Sequence, residues 1–318
     1  MKNGLIRNWI IVLIFIQSFA VQEGSVYGQL DSVNFLPHWS HQAQFAGYYM
    51  AIEKGFYEDA GLYVNIINGG PNRPVCKAYG CDSIHFFTDF LSGSIKAYDK
   101  GNKLVNIGQL SKMSALVFVS KRASAIDRPN DMNGKRIGVW ASDFRELPEV
   151  FLKIHEVNAR MVPIKSSVNL FLMGGLDVMC VMWYNEYHQI INSGINENEL
   201  SSFFFSDYNM DIPEDGIYCT EKYYKENKDI CRRFVESTIA GWEYAFRNPE
   251  ETLRVVHHYM HKYNIPTNRS HQEWMLNRMY DLFMDGESGQ LSVILDPEEF
   301  NSCGNLLLMD NLIKLFPD

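Results

Sequence analysis

Two short segments carry residue types suited to holding a flat, polar ring. The first is WSHQAQFAGYY, residues 39–49. Trp39 follows a candidate strand and precedes a candidate helix. An indole there can floor a pocket by stacking, or it can act as a lid over the core. Gln44 and Tyr48 lie four apart, on one helical face. Tyr48 partly shares the face of the apolar residues around it, so a core role competes there. Gly47 permits close approach of another group. The second segment is WYNEY, residues 183–187, directly after the apolar run LDVMCVM. Tyr184, Asn185 and Glu186 can donate, accept and carry charge at a strand end. A flat, partly polar ring needs that mixture. A helix cap with surface polar residues is the competing reading. Phe87, Thr88, Trp140 and Asp215 complete the candidate ligand site, each at an expected strand-to-loop junction; Trp140 offers a second stacking face.

Other chemistry-bearing residues read as structural. His85 sits in an apolar run and is expected to be a satisfied core histidine. His38 and His41 bracket Trp39, and His257 and His261 are spaced i,i+4. Such pairs can bind zinc. Neither has the H-E-x-x-H glutamate or an evident third ligand, so no metal is expected. Six cysteines are too few to staple a chain of 318 residues. Cys76 and Cys81, in CKAYGC, are close enough in sequence to bridge in an oxidising compartment, or they are two separate thiols.

These residues need a scaffold. SVNFL (32–36) and LYVNII (62–67) read as strands flanking a helix with Phe45, Tyr49, Ile52 and Phe56 on one face. That is a βαβ unit, so the sheet is expected to be largely parallel. Further strands are expected at CDSIHFF, LVNIGQL, SALVFVSK, KRIGVW, ARMVPI, LDVMCVM, FFFSDY and the end of IPEDGIYCT. From residue 227 the chain reads as helical, interrupted at Asn248-Pro249. The order points to an α/β protein whose last helices pack back on its first part. Open α/β sheets place ligands beyond the carboxyl ends of strands.

The ordered set WSHQAQFAGYYMAIEKGFYEDAGLYVNI, VNIGQLSKMSALVFVSK, DMNGKRIGVW, GGLDVMCVMWYNEY, EDGIYCT and RRFVESTIAGWEYAFRNPEETL resembles the thiamine-pyrimidine branch of the type II periplasmic binding proteins. The likeness runs from about residue 32 to 260. It implies two α/β lobes closing on a small ligand. Lobe 1 would comprise residues 30–115 and 215–318, and lobe 2 residues 116–214. The hinge crossovers would lie near 114–117 and 210–215. It also implies delivery to an ABC permease, with a kinase-linked sensing role as the alternative. The ligand would be a thiamine pyrimidine precursor, with riboflavin or a sulfonate as alternatives.

The same family includes the fungal hydroxymethylpyrimidine phosphate synthases. There the resemblance implies an iron-dependent reaction on pyridoxal phosphate held by a lysine, with a histidine consumed. Those two positions fall on Phe86 and Phe90 here, and the synthases' CCCFC loop corresponds to EDGIYCT. Moving the alignment brings His85 near the histidine position but no lysine. A phenylalanine cannot form an imine. A binding protein without cofactor is therefore expected rather than an enzyme.

Composition agrees. The chain is 46% hydrophobic and carries a net charge of −9, which excludes the basic footprint of a nucleic-acid binder. Lys2 and Arg7 precede WIIVLIFIQSFA, and the run ends in small residues, the pattern of a secretory signal over residues 1–28. An uncleaved anchor is the alternative. The mature chain is expected to be an extracytoplasmic, periplasmic monomer.

Overall fold

The computed structural model describes residues 29–141, 144–286 and 288–316. The expected signal sequence lies outside them. Among the described residues no helix is long and apolar enough to cross a membrane.

The chain forms two α/β lobes, each built on a five-stranded sheet. The first half-lobe contains β1 (Asp31–Leu36), α1 (Ala46–Glu53), α2 (Phe56–Asp59), β2 (Leu62–Ile66), β3 (Phe86–Asp89), α3 (Leu91–Asp99) and β4 (Leu104–Gln109). The chain then crosses over. The other lobe contains β5 (Leu116–Lys121), β6 (Arg136–Trp140), α4 (Glu146–Ile154), β7 (Arg160–Ile164), α5 (Asn169–Leu172), β8 (Val178–Met182), α6 (Glu186–Asn192) and β9 (Leu200–Phe204). A second crossover brings back β10 (Gly216–Thr220). The helices α7 (Glu221–Glu226), α8 (Lys228–Arg247), α9 (Pro249–Lys262), α10 (Arg269–Phe283) and α11 (Pro297–Met309) follow.

The strand orders are β2-β1-β3-β10-β4 and β7-β6-β8-β5-β9. Both sheets are mixed, which corrects the expectation of a largely parallel sheet. The βα units do give parallel pairs, β1 with β2 and β3, and β6 with β7 and β8. However, β5 and β10 are the strands by which the chain enters each lobe. They run antiparallel to both neighbours.

Other expectations shift locally. CDSIHFF is not a strand throughout: β3 begins at Phe86. His85 precedes it, and its Nδ1 accepts the Asn34 backbone N–H at 2.8 Å. FFFSDY is strand only to Phe204, after which the chain turns into a short 3-10 helix. Cys76 and Cys81 are not joined; Cys81 Sγ lies 3.2 Å from Ser83 Oγ.

The first helix is buried on nearly every side. Phe45, Tyr48, Tyr49 and Met50 are all in the core, because α8 crosses α1 at very short range. The crossing depends on two glycines. A Cβ on Gly47 would sit 2.2 Å from Trp242 Cγ, and one on Gly241 would sit 2.1 Å from the Gly47 carbonyl oxygen. Gly47 does allow a close approach, and the approaching group is the Trp242 indole.

The crossovers are held by one buried acid. Glu214 Oε1 accepts the Ser114 hydroxyl at 2.8 Å, and Oε2 accepts the Ala115 N–H at 2.9 Å. It ties the two crossover segments together.

Candidate functional site

The strand ends of both sheets face one another across a closed cleft, and most of the residues with binding chemistry meet there. A cavity of about 270 Å³ is lined by His38, Trp39, Gln42, Gln44, Phe90, Trp140, Phe144, Met182, Tyr184, Asn185 and Glu186. Lobe 1 contributes the loop after β1, the 3-10 turn Ala43–Phe45 that leads into α1, and the residue before α3. Lobe 2 contributes the ends of β6 and β8 and the start of α6.

Gln44 is central. Its side chain is buried, and its amide nitrogen faces the Tyr184 hydroxyl at 2.8 Å, Asp215 Oδ1 at 3.0 Å and His38 Nε2 at 3.1 Å. The Gln44 amide oxygen accepts from Gln42 Nε2 at 2.7 Å. Because Tyr184 belongs to lobe 2, the Gln44–Tyr184 bond spans the cleft. Gln44 is itself fixed from behind, where Gln272 of α10 accepts the Ala43 N–H at 2.7 Å.

Asp215 lies beneath Gln44 at the start of β10, and burial pushes its carboxyl up to about 7. Thr88 does not line the cavity. Its Oγ1 accepts the His38 backbone N–H at 2.9 Å and lies 2.8 Å from His38 Nδ1, so it orients that ring. Burial holds His38 down to about 3, so the imidazole is neutral.

On the opposite wall, Glu186 starts α6. Its Oε2 accepts the Met182 N–H at 3.1 Å, and its Oε1 accepts from Asn185 Nδ2 at 3.2 Å; the Trp140 indole also donates to it. Burial raises the carboxyl to about 7 in spite of these bonds. Trp140 is thus both a wall and a donor. Asn185 Oδ1 accepts from Gln189 Nε2 at 2.9 Å and lies 3.1 Å from His271 Nε2. An amide oxygen only accepts, so His271 donates through Nε2 and its neutral Nδ1 is free to accept. His188 Nδ1, 3.0 Å away, is the donor that satisfies it. This chain runs from His188 of lobe 2 through His271 of lobe 1 and back to Asn185 in the cavity wall of lobe 2.

Eight of the ten expected site residues meet here, Thr88 and Asp215 as supports directly beneath the wall. The structure places the other two elsewhere. Tyr48 faces the core, stacked on Phe35 at 4.3 Å and edge-on to Trp242 at 6.3 Å. Phe87 points to the other face of its sheet, into a small cluster with Leu36, Val75, Ala78 and Tyr218. Strand alternation explains this, since Phe86 and Thr88 share the face that Phe87 does not. His38, Gln42, Phe90, Phe144 and Met182 also line the cavity and are not among the expected site residues. His38 and Phe90 do sit beside strand ends, and that was the available signal. Phe144 gave none. It has φ 68, an uncommon backbone conformation for a bulky residue. Its ring packs on Phe90 at 4.2 Å and edge-on to His38 and Trp140. Among the described residues no lysine or arginine lines this cavity.

A family model described as NMT1/THI5 like matches residues 42–252. The formylaminopyrimidine-binding protein of Halalkalibacterium halodurans is 22% identical over 268 residues, 80% of this chain and 79% of that protein. The riboflavin-binding protein RibY of Chloroflexus aurantiacus is 22% identical over 232 residues, 70% of this chain and 65% of that protein. In fold, the periplasmic aliphatic sulphonate binding protein SsuA from Escherichia coli superposes with a TM-score of 0.67 at 13% identity, covering 91% of this chain and 95% of that one.

Proposed function

We propose that this chain, which belongs to the NMT1/THI5-like family, is the extracytoplasmic solute-binding protein of an ABC importer and captures a small nitrogen heterocycle of the pyrimidine class. One observation carries the ligand reading. The cleft wall combines aromatic faces, Trp39, Trp140, Phe90 and Phe144, with the buried acceptors and donors of Glu186, Asn185, Gln44 and Tyr184. A flat ring fills the first set and its amine and ring nitrogens answer the second. The formylaminopyrimidine-binding relative supports the same choice.

A sulfonate fits less well. An anion at this wall, which no lysine or arginine lines among the described residues and where the Glu186 carboxyl is buried, has no countercharge. Catalysis on pyridoxal phosphate is disfavoured too: Phe90 occupies the position that the synthases give to histidine, and it lines the wall as an apolar surface.

The proposal includes lobe limits of 30–115 with 215–318 and 116–214, export through residues 1–28, a monomer in solution, and a permease as partner. Mass spectrometry of ligand released from the purified protein is the direct test. A co-purifying monocyclic amine-bearing ring is expected. Release of a sulfonate, or of a phosphorylated cofactor with a covalent lysine adduct, overturns the reading. A bound ligand also raises apparent stability, so a thermal-shift screen checks the result independently.

A further inference from the structure

Two further compartments share walls with the ring cavity, and a substituent on a bound ring would extend into one of them. On one side His38, Trp39, Trp140 and Phe144 are also the walls of a second cavity of about 430 Å³, so the Phe144 ring stands at that boundary. On the other side Trp39, Gln42 and Asn185 are shared with a broad groove of about 1260 Å³ between the lobes.

The groove has an unusual composition. It is lined by hydroxyl and amide side chains from both lobes, among them Ser40, Asn169, Gln189, Asn192 and Gln272, with apolar residues between. No Asp, Glu, Lys or Arg lines it among the described residues, although the chain is 21% charged. Amides present donors and acceptors side by side, which matches a hydroxyl, itself both donor and acceptor. An anionic group entering it would lose hydration and meet no cation. Asn185 joins the two compartments: its Nδ2 serves Glu186 at the ring, and its Oδ1 takes Gln189 and His271 from the groove wall.

We infer that the natural ligand is a single-ring heterocycle bearing a neutral, hydroxyl-rich substituent, and that the groove is a second subsite that binds this substituent. The inference rests on the ring-binding reading above.

Cytosine, cytidine and cytidine 5′-monophosphate form a matched probe series, measured by calorimetry on the full mature protein. Cytidine is expected to bind at least tenfold tighter than cytosine. The monophosphate is expected to bind at least tenfold weaker than cytidine. An Asn169→Leu/Asn192→Leu variant, altered at two exposed rim positions, is expected to bring cytidine close to cytosine and leave cytosine unchanged. Circular dichroism checks its folding, and Asn192→Leu alone serves if the pair is unstable. Equal affinities for cytosine and cytidine overturn the groove subsite and leave the ring reading intact. A monophosphate that binds as tightly as cytidine overturns the neutrality of the groove. A variant that retains the full cytidine advantage places the substituent elsewhere and overturns the assignment. Failure of all three probes to bind overturns the ring reading and this inference together.

Discussion

At the residue scale, the site's character comes from burying polar groups beside aromatic faces. Trp39 is the most exposed of those faces and borders all three compartments of the cleft. Replacing Trp39 with alanine is expected to cost about 1 kcal/mol of ring binding, roughly a fivefold rise in Kd by calorimetry. An unchanged Kd would make Trp39 a structural lid. The two buried carboxyls, Glu186 in the wall and Asp215 beneath it, give a second prediction, on protons. Burial raises Glu186 and Asp215 to about 7, so the empty closed site favours their protonated forms. That stabilisation is complete below the ordinary carboxyl range and is lost as pH rises through 7. A ligand that donates amine hydrogens to Glu186, the one of the two that lines the cavity, favours its carboxylate and so releases protons on binding near pH 6. Calorimetry in two buffers of different ionisation enthalpy reads this directly. Zero release, or net uptake, would exclude Glu186 as a ligand acceptor.

At the element scale, the 3-10 turn carrying Gln44 is positioned by helix packing. The chain places α8 against α1 through Gly47 and Gly241, and α10 fixes the turn through Gln272. Neither helix touches the proposed ring. Gly241→Ala would force a methyl to 2.1 Å from the Gly47 carbonyl and 2.8 Å from Ala51 Cβ. Backbone cannot move aside as a side-chain tip can. The variant is expected to lose on the order of 1–3 kcal/mol, read as a lower midpoint in chemical denaturation. Retained stability would mean that the helices separate without cost, and the packing account of this crossing would fail.

At the scale of the whole molecule, the two lobes are held closed by contacts that ring both ends of the cleft. Lys96 Nζ of α3 meets Glu146 Oε1 of α4 at 2.6 Å, with the glutamate side chain only 7% exposed. Trp274 Nε1 donates to the Trp183 carbonyl at 3.2 Å, and the Arg278 guanidinium lies over both indoles at 4.6 and 4.9 Å. With the Gln44–Tyr184 bond, these favour closure before any ligand arrives. Lys96→Met removes the countercharge from a carboxylate that closure keeps dry, whereas an open cleft would hydrate it. The empty variant is therefore expected to populate an open form, with a larger radius of gyration by small-angle X-ray scattering. Saturating ligand should restore the compact value, because ligand shifts the population only through its preference for the closed form. An empty variant as compact as the parent would show that the ion pair does not bias closure.

Much of this was legible in the linear chain because it is set locally. Apolar runs of four to eight residues separated by turn signals gave nearly every strand. The helix break at Asn248-Pro249 follows from the missing N–H of Pro249. Residues at strand ends, Trp39, Trp140 and 184–186, could be marked as a ligand wall because α/β sheets present ligands there. Three features depend on partners distant in sequence, and local pattern did not settle them. The direction of β5 and β10 follows from which lobe the chain is entering. Tyr48 went to the core because Trp242, almost two hundred residues later, fills the space beside Gly47. Phe144 reached the cavity only because lobe 2 folds over lobe 1 and brings a loop with a left-handed residue against Phe90 and His38. Periodicity fixes which way a side chain faces on its own element; only the closed arrangement of two lobes decides what that side chain meets.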